Sequence, residues 1–323
     1  MDDHRPNDQM LGRRRFNAAL LAGLAAPLVP PPTTRPATQP DRPAPLPLSL
    51  AQWSLHRRLY AGELDPDDFP AFTRTTFGIT AVEYVNTFYA DRLDRPDYSR
   101  VLRRRAEDAG VRSLLVMIDG AGAVGAPTAA ERDRTVQRHR PWLELAAELR
   151  CHRVRVNARY AGSPQEQAAR VVDGLQRLLV PAAELELKVL VENHGGLSSN
   201  GAWLADVMRR VNDPRCGTLP DFGNFTIAPG NAYDRYRGMK ELLPWAGAVS
   251  AKCYDFDDRG RETTIDFARM LRLIHEAGYR GHLGIEYEGR RLDEVDGIRA
   301  AQRLLIGLMH RSAPPASPER NHP

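Results

Sequence analysis

The chain has little cysteine: three residues in 323, Cys151, Cys216 and Cys253, with no CxxC pair among them. An odd count without that spacing excludes a disulfide framework and a thiolate zinc site. Each cysteine falls at or inside an apolar run, where it serves as a small buried hydrophobe. There is also no glycine-rich phosphate cradle. The apolar run at 18–29 is too short to cross a bilayer comfortably, so no permanent membrane span is expected. Excess charge of one sign is scarce too. The net charge is +4, and about half of it comes from residues 1–47, where six arginines face four aspartates. The remaining basic residues are scattered, as in Arg103-Arg104-Arg105, which reads as a solvated helix face; a nucleic-acid partner is not expected.

What is present begins with Gly12-Arg13-Arg14-Arg15-Phe16-Asn17 ahead of that apolar run, which resembles a twin-arginine export signal. A proline-rich tract follows at 30–47 and reads as a linker. Residues 1–47 are therefore expected to be an export signal and linker, and the protein to be periplasmic or extracytoplasmic. Residues 311–323, rich in Pro, Ser and charge, are expected to be a disordered tail.

From 48 to 310 the chain alternates. Strand-like runs at 48–54, 80–85, 113–118, 152–157, 188–193, 216–221, 246–252 and 282–286 end about 28–39 residues apart, the interval of one strand–helix unit. The intervening segments carry helix signals. Asp65-Pro66 starts a helix that stops at Gly78, a second runs from Asp97 to Ala109 before Gly110, Ser163-Pro164-Gln165-Glu166 opens another, and one near Thr263-Thr264 runs to Gly278. Strict alternation predicts an α/β fold, a single (β/α)8 barrel. The rival, a doubly wound open sheet, would concentrate polar residues at one switch point, whereas here every strand ends in them.

The C-terminal strand ends form the working face of such a barrel. In chain order they carry Gln52-Trp53-Ser54 and His56; Glu83 and Asn86; Asp119; Arg155 and Asn157; Glu192, Asn193 and His194; Asp221 and Asn224; Ser250, Lys252 and Tyr254; and Glu286 and Glu288. Glu83, Glu192, Asp221 and Glu286 converging on one mouth is costly unless a cation is bound among them, and a hard divalent ion, Mg²⁺ or Mn²⁺, answers that need. Some of these residues have structural alternatives: Asp221 as a turn cap, Glu83 paired with Arg155 or Arg112, His56 on the surface. Strand alternation turns Lys252 inward.

Val191-Glu192-Asn193-His194, Pro220-Asp221-Phe222-Gly223-Asn224, Ser250-Ala251-Lys252 and Ile285-Glu286-Tyr287-Glu288-Gly289 resemble the xylose isomerase-like barrels, in the subgroup of sugar phosphate isomerases and epimerases. Ala81-Val82-Glu83-Tyr84-Val85-Asn86 and Gln52-Trp53-Ser54 are in the same style. The resemblance implies metal ligands at Glu192, Asp221 and Glu286. A fourth is expected at the position of Ser250, where the family carries histidine; Ser250 or His194 could fill it. It also implies Glu192 and Glu286 as the catalytic pair that removes and returns a proton α to a carbonyl. His56, Glu83, Asn157, Asn193, His194, Asn224, Lys252 and Glu288 are then expected to bind a small carbohydrate.

The same apparatus, given a leaving group β to the abstracted proton, eliminates it, so a lyase or hydratase acting on a keto sugar or glycoside is chemically adjacent. A two-carboxylate glycosidase would not need Asp221 or Lys252. An abasic-site endonuclease would need more histidines at the strand ends. A catalytically inactive sugar-binding barrel is the non-enzymatic alternative.

Overall fold

The computed structural model describes residues 45–311, and these fall within one compact unit. Ten strands occur in chain order: β1 Leu48–Ala51, β2 Ala81–Val85, β3 Arg112–Met117, β4 Arg153–Asn157, β5 Lys188–Glu192, β6 Cys216–Leu219, β7 Thr226–Ala228, β8 Asn231–Ala232, β9 Val249–Cys253 and β10 Leu283–Tyr287. Nine α-helices are described: α1 His56–Tyr60, α2 Phe69–Phe77, α3 Tyr98–Asp108, α4 Ala129–Glu148, α5 Pro164–Glu184, α6 Gly201–Val211, α7 Arg235–Leu242, α8 Phe267–Glu276 and α9 Glu294–Arg311.

Eight strands form one parallel sheet in the order β6-β5-β4-β3-β2-β1-β10-β9. Its two edges meet. Thr218 bridges Ala246 and Asp221 bridges Ser250 in parallel sense, and Ser250 N–H donates to the Pro220 carbonyl at 3.0 Å. The sheet therefore curls into the expected (β/α)8 barrel. Strands β2, β9 and β10 are buried along their whole length, because one face packs into the barrel and the other against helices.

Several element boundaries differ from expectation. The first strand stops at Ala51, and Gln52–Leu55 form a 3₁₀ turn. The cause is side-chain competition for the neighbouring backbone. Gln52 Oε1 accepts from Val85 N–H at 2.9 Å, while Ser54 Oγ donates to the Ile285 carbonyl and accepts from Tyr287 N–H, both at 3.0 Å. The expected helix near Thr263 begins at Phe267, capped by Asp266. Thr263 and Thr264 lie in a turn where Glu262 accepts from the Thr264 hydroxyl at 2.9 Å. Asp65 caps a 3₁₀ turn, Pro66–Asp68, that leads into α2, which ends as predicted at Gly78. Ser163 and Glu166 form a reciprocal capping box on α5. The antiparallel ribbon β7–β8 was not foreseen; its strands are three and two residues long, too short for a periodic signal. All three cysteines are free and buried, as expected.

No helix among the described residues is long and apolar enough to cross a membrane. The proposed export signal and tail lie largely outside the described residues.

Candidate active site

The strand-end acids come together because their strands are neighbours in the closed barrel. Glu192 is the last residue of β5, Asp221 follows β6 by two residues, and Glu286 lies in β10 beside Lys252 of β9. All are buried. Glu192, Asp221 and Glu286 each offer an oxygen, and these oxygens lie within 4.8 Å of one another.

The turn after β6 is built to aim Asp221. Its Oδ1 accepts from the backbone N–H groups of Gly223 and Asn224, both at 2.8 Å. Asn193, the residue after β5, grips the same turn, donating to the Asp221 and Asn224 carbonyls and accepting from Asp221 N–H at 2.7 Å. Asn224 then donates its side-chain amide to Glu192 Oε1 at 2.8 Å. Gly223 is required by close approach: a Cβ there would stand 2.6 Å from Tyr254 Oη and 2.9 Å from Lys252 Cδ. Asp221 Oδ2 remains buried without a hydrogen-bond partner. An orphaned carboxylate oxygen inside a three-acid cluster fits a hard divalent cation, which takes oxygen donors.

Two permanent cations serve this cluster. Lys252 Nζ lies 2.9 Å from both Glu286 Oε1 and Glu288 Oε1, and 3.9 Å from Asp221 Oδ2. Arg155 Nε stands 2.9 Å from Glu192 Oε2, close enough for an ion pair but out of line for a hydrogen bond. Its other end holds Asp119, with Nη1 donating to Oδ1 at 2.6 Å. Five carboxylates (Asp119, Glu192, Asp221, Glu286 and Glu288) thus share Lys252 and Arg155.

The charges distribute unevenly. Burial pushes Glu192 up to about 7, against the pull of Arg155, and Asp221 up to about 7, against that of Lys252. Burial acts on Glu286 in the same sense, but the Lys252 ammonium more than offsets it, helped by Arg155 and the Ser250 hydroxyl, and holds the acid below its ordinary range. Burial works against the Lys252 charge, yet Glu286, Asp221 and Glu288 hold its pKa well above that of a free lysine. His194 is pushed down by burial and then by Arg155 and Lys252, so it stays neutral near pH 7.

Glu286 borders a cavity of about 260 Å³ that is also lined by Glu288, Arg155, Asp119, His194, Trp53 and Tyr60. Larger hollows lie on the outer surface and at the N-terminal ends of the strands, but none contains a strand-end acid.

The other candidates lie outside the three-acid cluster or support it. Glu83 sits one inward step lower, at the level of Gly284, and accepts from Ser49 Oγ at 2.6 Å. Neither suggested arginine pairs with it: Arg155 is committed to Asp119 and Glu192, and Arg112 contacts His282. Asn193 is fully buried and spends its amide on backbone. His56 stacks on Trp53 at 4.9 Å, behind the ring that faces the cavity. Asn157 meets the site through Asp119, donating at 2.6 Å. Ser250 Oγ donates to Glu286 Oε2 at 3.0 Å. His194 is not part of the three-acid cluster.

Arg155 and Asp119 are the members that sequence reasoning undervalued. Arg155 shares an inward face with Asn157 by alternation along β4, and that was the available signal.

The model of the xylose isomerase-like TIM barrels matches residues 75–308. The chain belongs to that family. Among solved structures, the xylose isomerase-like fold here is similar to a D-tagatose 3-epimerase-like protein, with a TM-score of 0.63 and 16% identity over 83% of this chain and 99% of that one. It is also similar to an IolI protein with a bound zinc atom, with a TM-score of 0.64 and 12% identity over 84% and 100%. At these identities the likeness is one of fold. A curated relative, the C-glycoside deglycosidase alpha subunit of Arthrobacter globiformis, is 30% identical over 81 residues. That match spans 23% of this chain and 23% of the relative, so less than a quarter of either protein is compared.

Proposed function

We propose that this barrel is a sugar isomerase or epimerase-type enzyme that removes a proton α to a carbonyl of a carbohydrate. The observation that carries this is the buried Glu192–Asp221–Glu286 cluster, whose Glu286 lines a cavity of single-sugar size together with Arg155, the partner of Glu192. Enolisation needs a carboxylate at the carbon acid and fixed positive charge at the carbonyl oxygen. In this reading Glu192 or Glu286 accepts the proton, and the electron pair of the broken C–H bond moves onto the carbonyl oxygen. The other glutamate returns a proton to carbon, which Glu286 would draw from the Lys252 ammonium 2.9 Å away. Arg155 stands beside Glu192 and Lys252 beside Glu286, so the developing negative charge meets positive charge already in place. Trp53 adds an apolar surface to the cavity lining and helps to exclude water. Glu192, Asp221 and Glu286 would hold a divalent cation, Mn²⁺ or Mg²⁺, which when bound supplies further charge to polarise the substrate oxygens.

A second reading is favoured by the deglycosidase relative. The same proton abstraction on a keto-glycoside expels the group β to the new carbanion and makes a lyase. The half-open rim beside Tyr60, itself 65% exposed, leaves room for such a group. Export through Arg13-Arg14, also proposed, suits glycosides met outside the cytoplasm. Arg13→Lys with Arg14→Lys should leave the protein in the cytoplasmic fraction; unaltered fractionation removes that proposal.

The test is exchange of substrate C–H for solvent deuterium, followed by NMR. A Glu192→Gln variant should fold normally and lose at least about a thousandfold in exchange rate, the scale at which a proton-transfer group contributes. Exchange at the wild-type rate would overturn the assigned role. Appearance of a free leaving group along with exchange would select the lyase.

A further inference from the structure

Beyond the reacting acids, one wall of the cavity is organised around a residue the chemistry above does not use. Asp119 lies two residues past β3, and its backbone is clamped from both sides by one side chain. Asn86 Oδ1 accepts from Asp119 N–H at 2.8 Å, and Asn86 Nδ2 donates to the Asp119 carbonyl at 2.9 Å. The Asp119 carboxylate is held as firmly. Its Oδ1 accepts from Arg155 Nη1 and Asn157 Nδ2, each at 2.6 Å. Its Oδ2 has one long contact, 3.4 Å to Arg155 Nη2, and the side chain is 30% exposed at the cavity wall. Asp119 therefore presents a fixed acceptor with free lone pairs. The side-chain amide oxygen of Asn157, Oδ1, is buried without a hydrogen-bond partner.

We propose that Asp119 is a specificity residue: its Oδ2 accepts a hydrogen bond from a sugar hydroxyl on a carbon other than the one that loses its proton. Arg155 makes this more than an anchor. One guanidinium spans Asp119 at 2.6 Å and Glu192 at 2.9 Å, so the group that selects the hydroxyl and the group beside the reacting carbon are held at a set separation. A sugar with that hydroxyl in the right configuration is delivered to Glu192, and its epimer at that carbon is not. Because the acceptor is held before substrate arrives, little ordering is needed on binding. Trp53, which also lines the cavity, stacks on His56 and gives the sugar ring an apolar face to lie against.

This proposal rests on the carbohydrate reading, and the experiment separates the two. Wild-type and Asp119→Asn proteins are titrated with D-fructose, methyl 3-keto-β-D-glucopyranoside and the single-deoxy analogues of whichever binds, with ligand-observed NMR for affinity and deuterium exchange for chemistry. Asp119→Asn should weaken the parent sugar at least tenfold in Kd, but one deoxy analogue less than twofold. Asn86→Ala, which frees the Asp119 backbone without touching the carboxylate, should reproduce a smaller loss on the same hydroxyl. Equal losses on every analogue would overturn the proposal and leave Asp119 a structural partner of Arg155. Hydroxyl-selective loss without any exchange by the wild type would uphold Asp119 and remove the enzymatic reading. Failure of the wild type to bind either sugar would remove both.

Discussion

The barrel interior holds two kinds of buried carboxylate, one step apart. Glu83 sits in the lower layer with Ser49 as its hydrogen-bond partner, and burial pushes it up to about 7. Glu286 sits at the mouth, equally buried, and is held below its ordinary range by Lys252. Both are inward residues of neighbouring regions of the sheet, and neither is exposed by more than 5%. They differ in company. The mouth provides cations, other acids and a cavity, whereas the layer below provides a hydroxyl and the close wall of Gly284. A shifted pKa thus marks burial in one case and a charge network at a cavity in the other, and convergence with a cavity separates them.

Removing the cation should have the largest effect on stability. Lys252→Met leaves Glu286 and Asp221 buried without their ammonium and should cost about 3–5 kcal/mol, the scale for breaking a buried ion pair from one side. Chemical denaturation measures this, and an unchanged midpoint would mean that the mouth acids do not depend on Lys252 in the way described.

The lower layer should respond in the opposite sense. The folded-state pKa of Glu83 is raised from 4.5 to about 7, so its ionisation disfavours the folded state. That cost is absent below pH 4.5, grows between pH 4.5 and 7, and is fully present above. Glu83→Gln, which keeps an acceptor for Ser49, should therefore stabilise the protein at pH 8 by up to about 3 kcal/mol and leave it unchanged at pH 4. Destabilisation at pH 8 would show that the ionised Glu83 has an unseen partner.

The smallest of the three effects distinguishes the layers by ligand. Mn²⁺ at a hundredfold excess over its dissociation constant should stabilise the folded protein by about 2.7 kcal/mol. Asp221→Asn should abolish the gain and Glu83→Gln should preserve it, as read from thermal melting with and without the ion. A gain that survives Asp221→Asn would place the ion elsewhere.

Much of the scaffold was legible in sequence because each barrel strand is short, apolar and followed by polar residues. The positions of Glu192, Asp221 and Glu286 were visible as strand ends, and so was the inward direction of Lys252. The depth of each acid was not. Glu83 and Glu286 look alike along the chain, since both are acids inside apolar strands. Only the stagger between strands places one at the level of Gly284 and the other beside Lys252. Asn193 and His194 were equally ambiguous as neighbours, until the turn after β6 claimed the asparagine for its backbone and left the histidine to the cavity.

The sequence by itself determined the alternation of strands and helices, the chain order of the acids and the absence of thiolate or disulfide chemistry. These follow from local pattern and residue type. Tertiary structure decided which acids share a cation, that Arg155 joins Asp119 to Glu192 and leaves Glu83 alone, and that Trp53 faces the site while His56 backs it. The physical reason is that charge pairing depends on distance through a low-dielectric interior. That distance is set when β6 and β9 close the barrel, and no local window of sequence contains it.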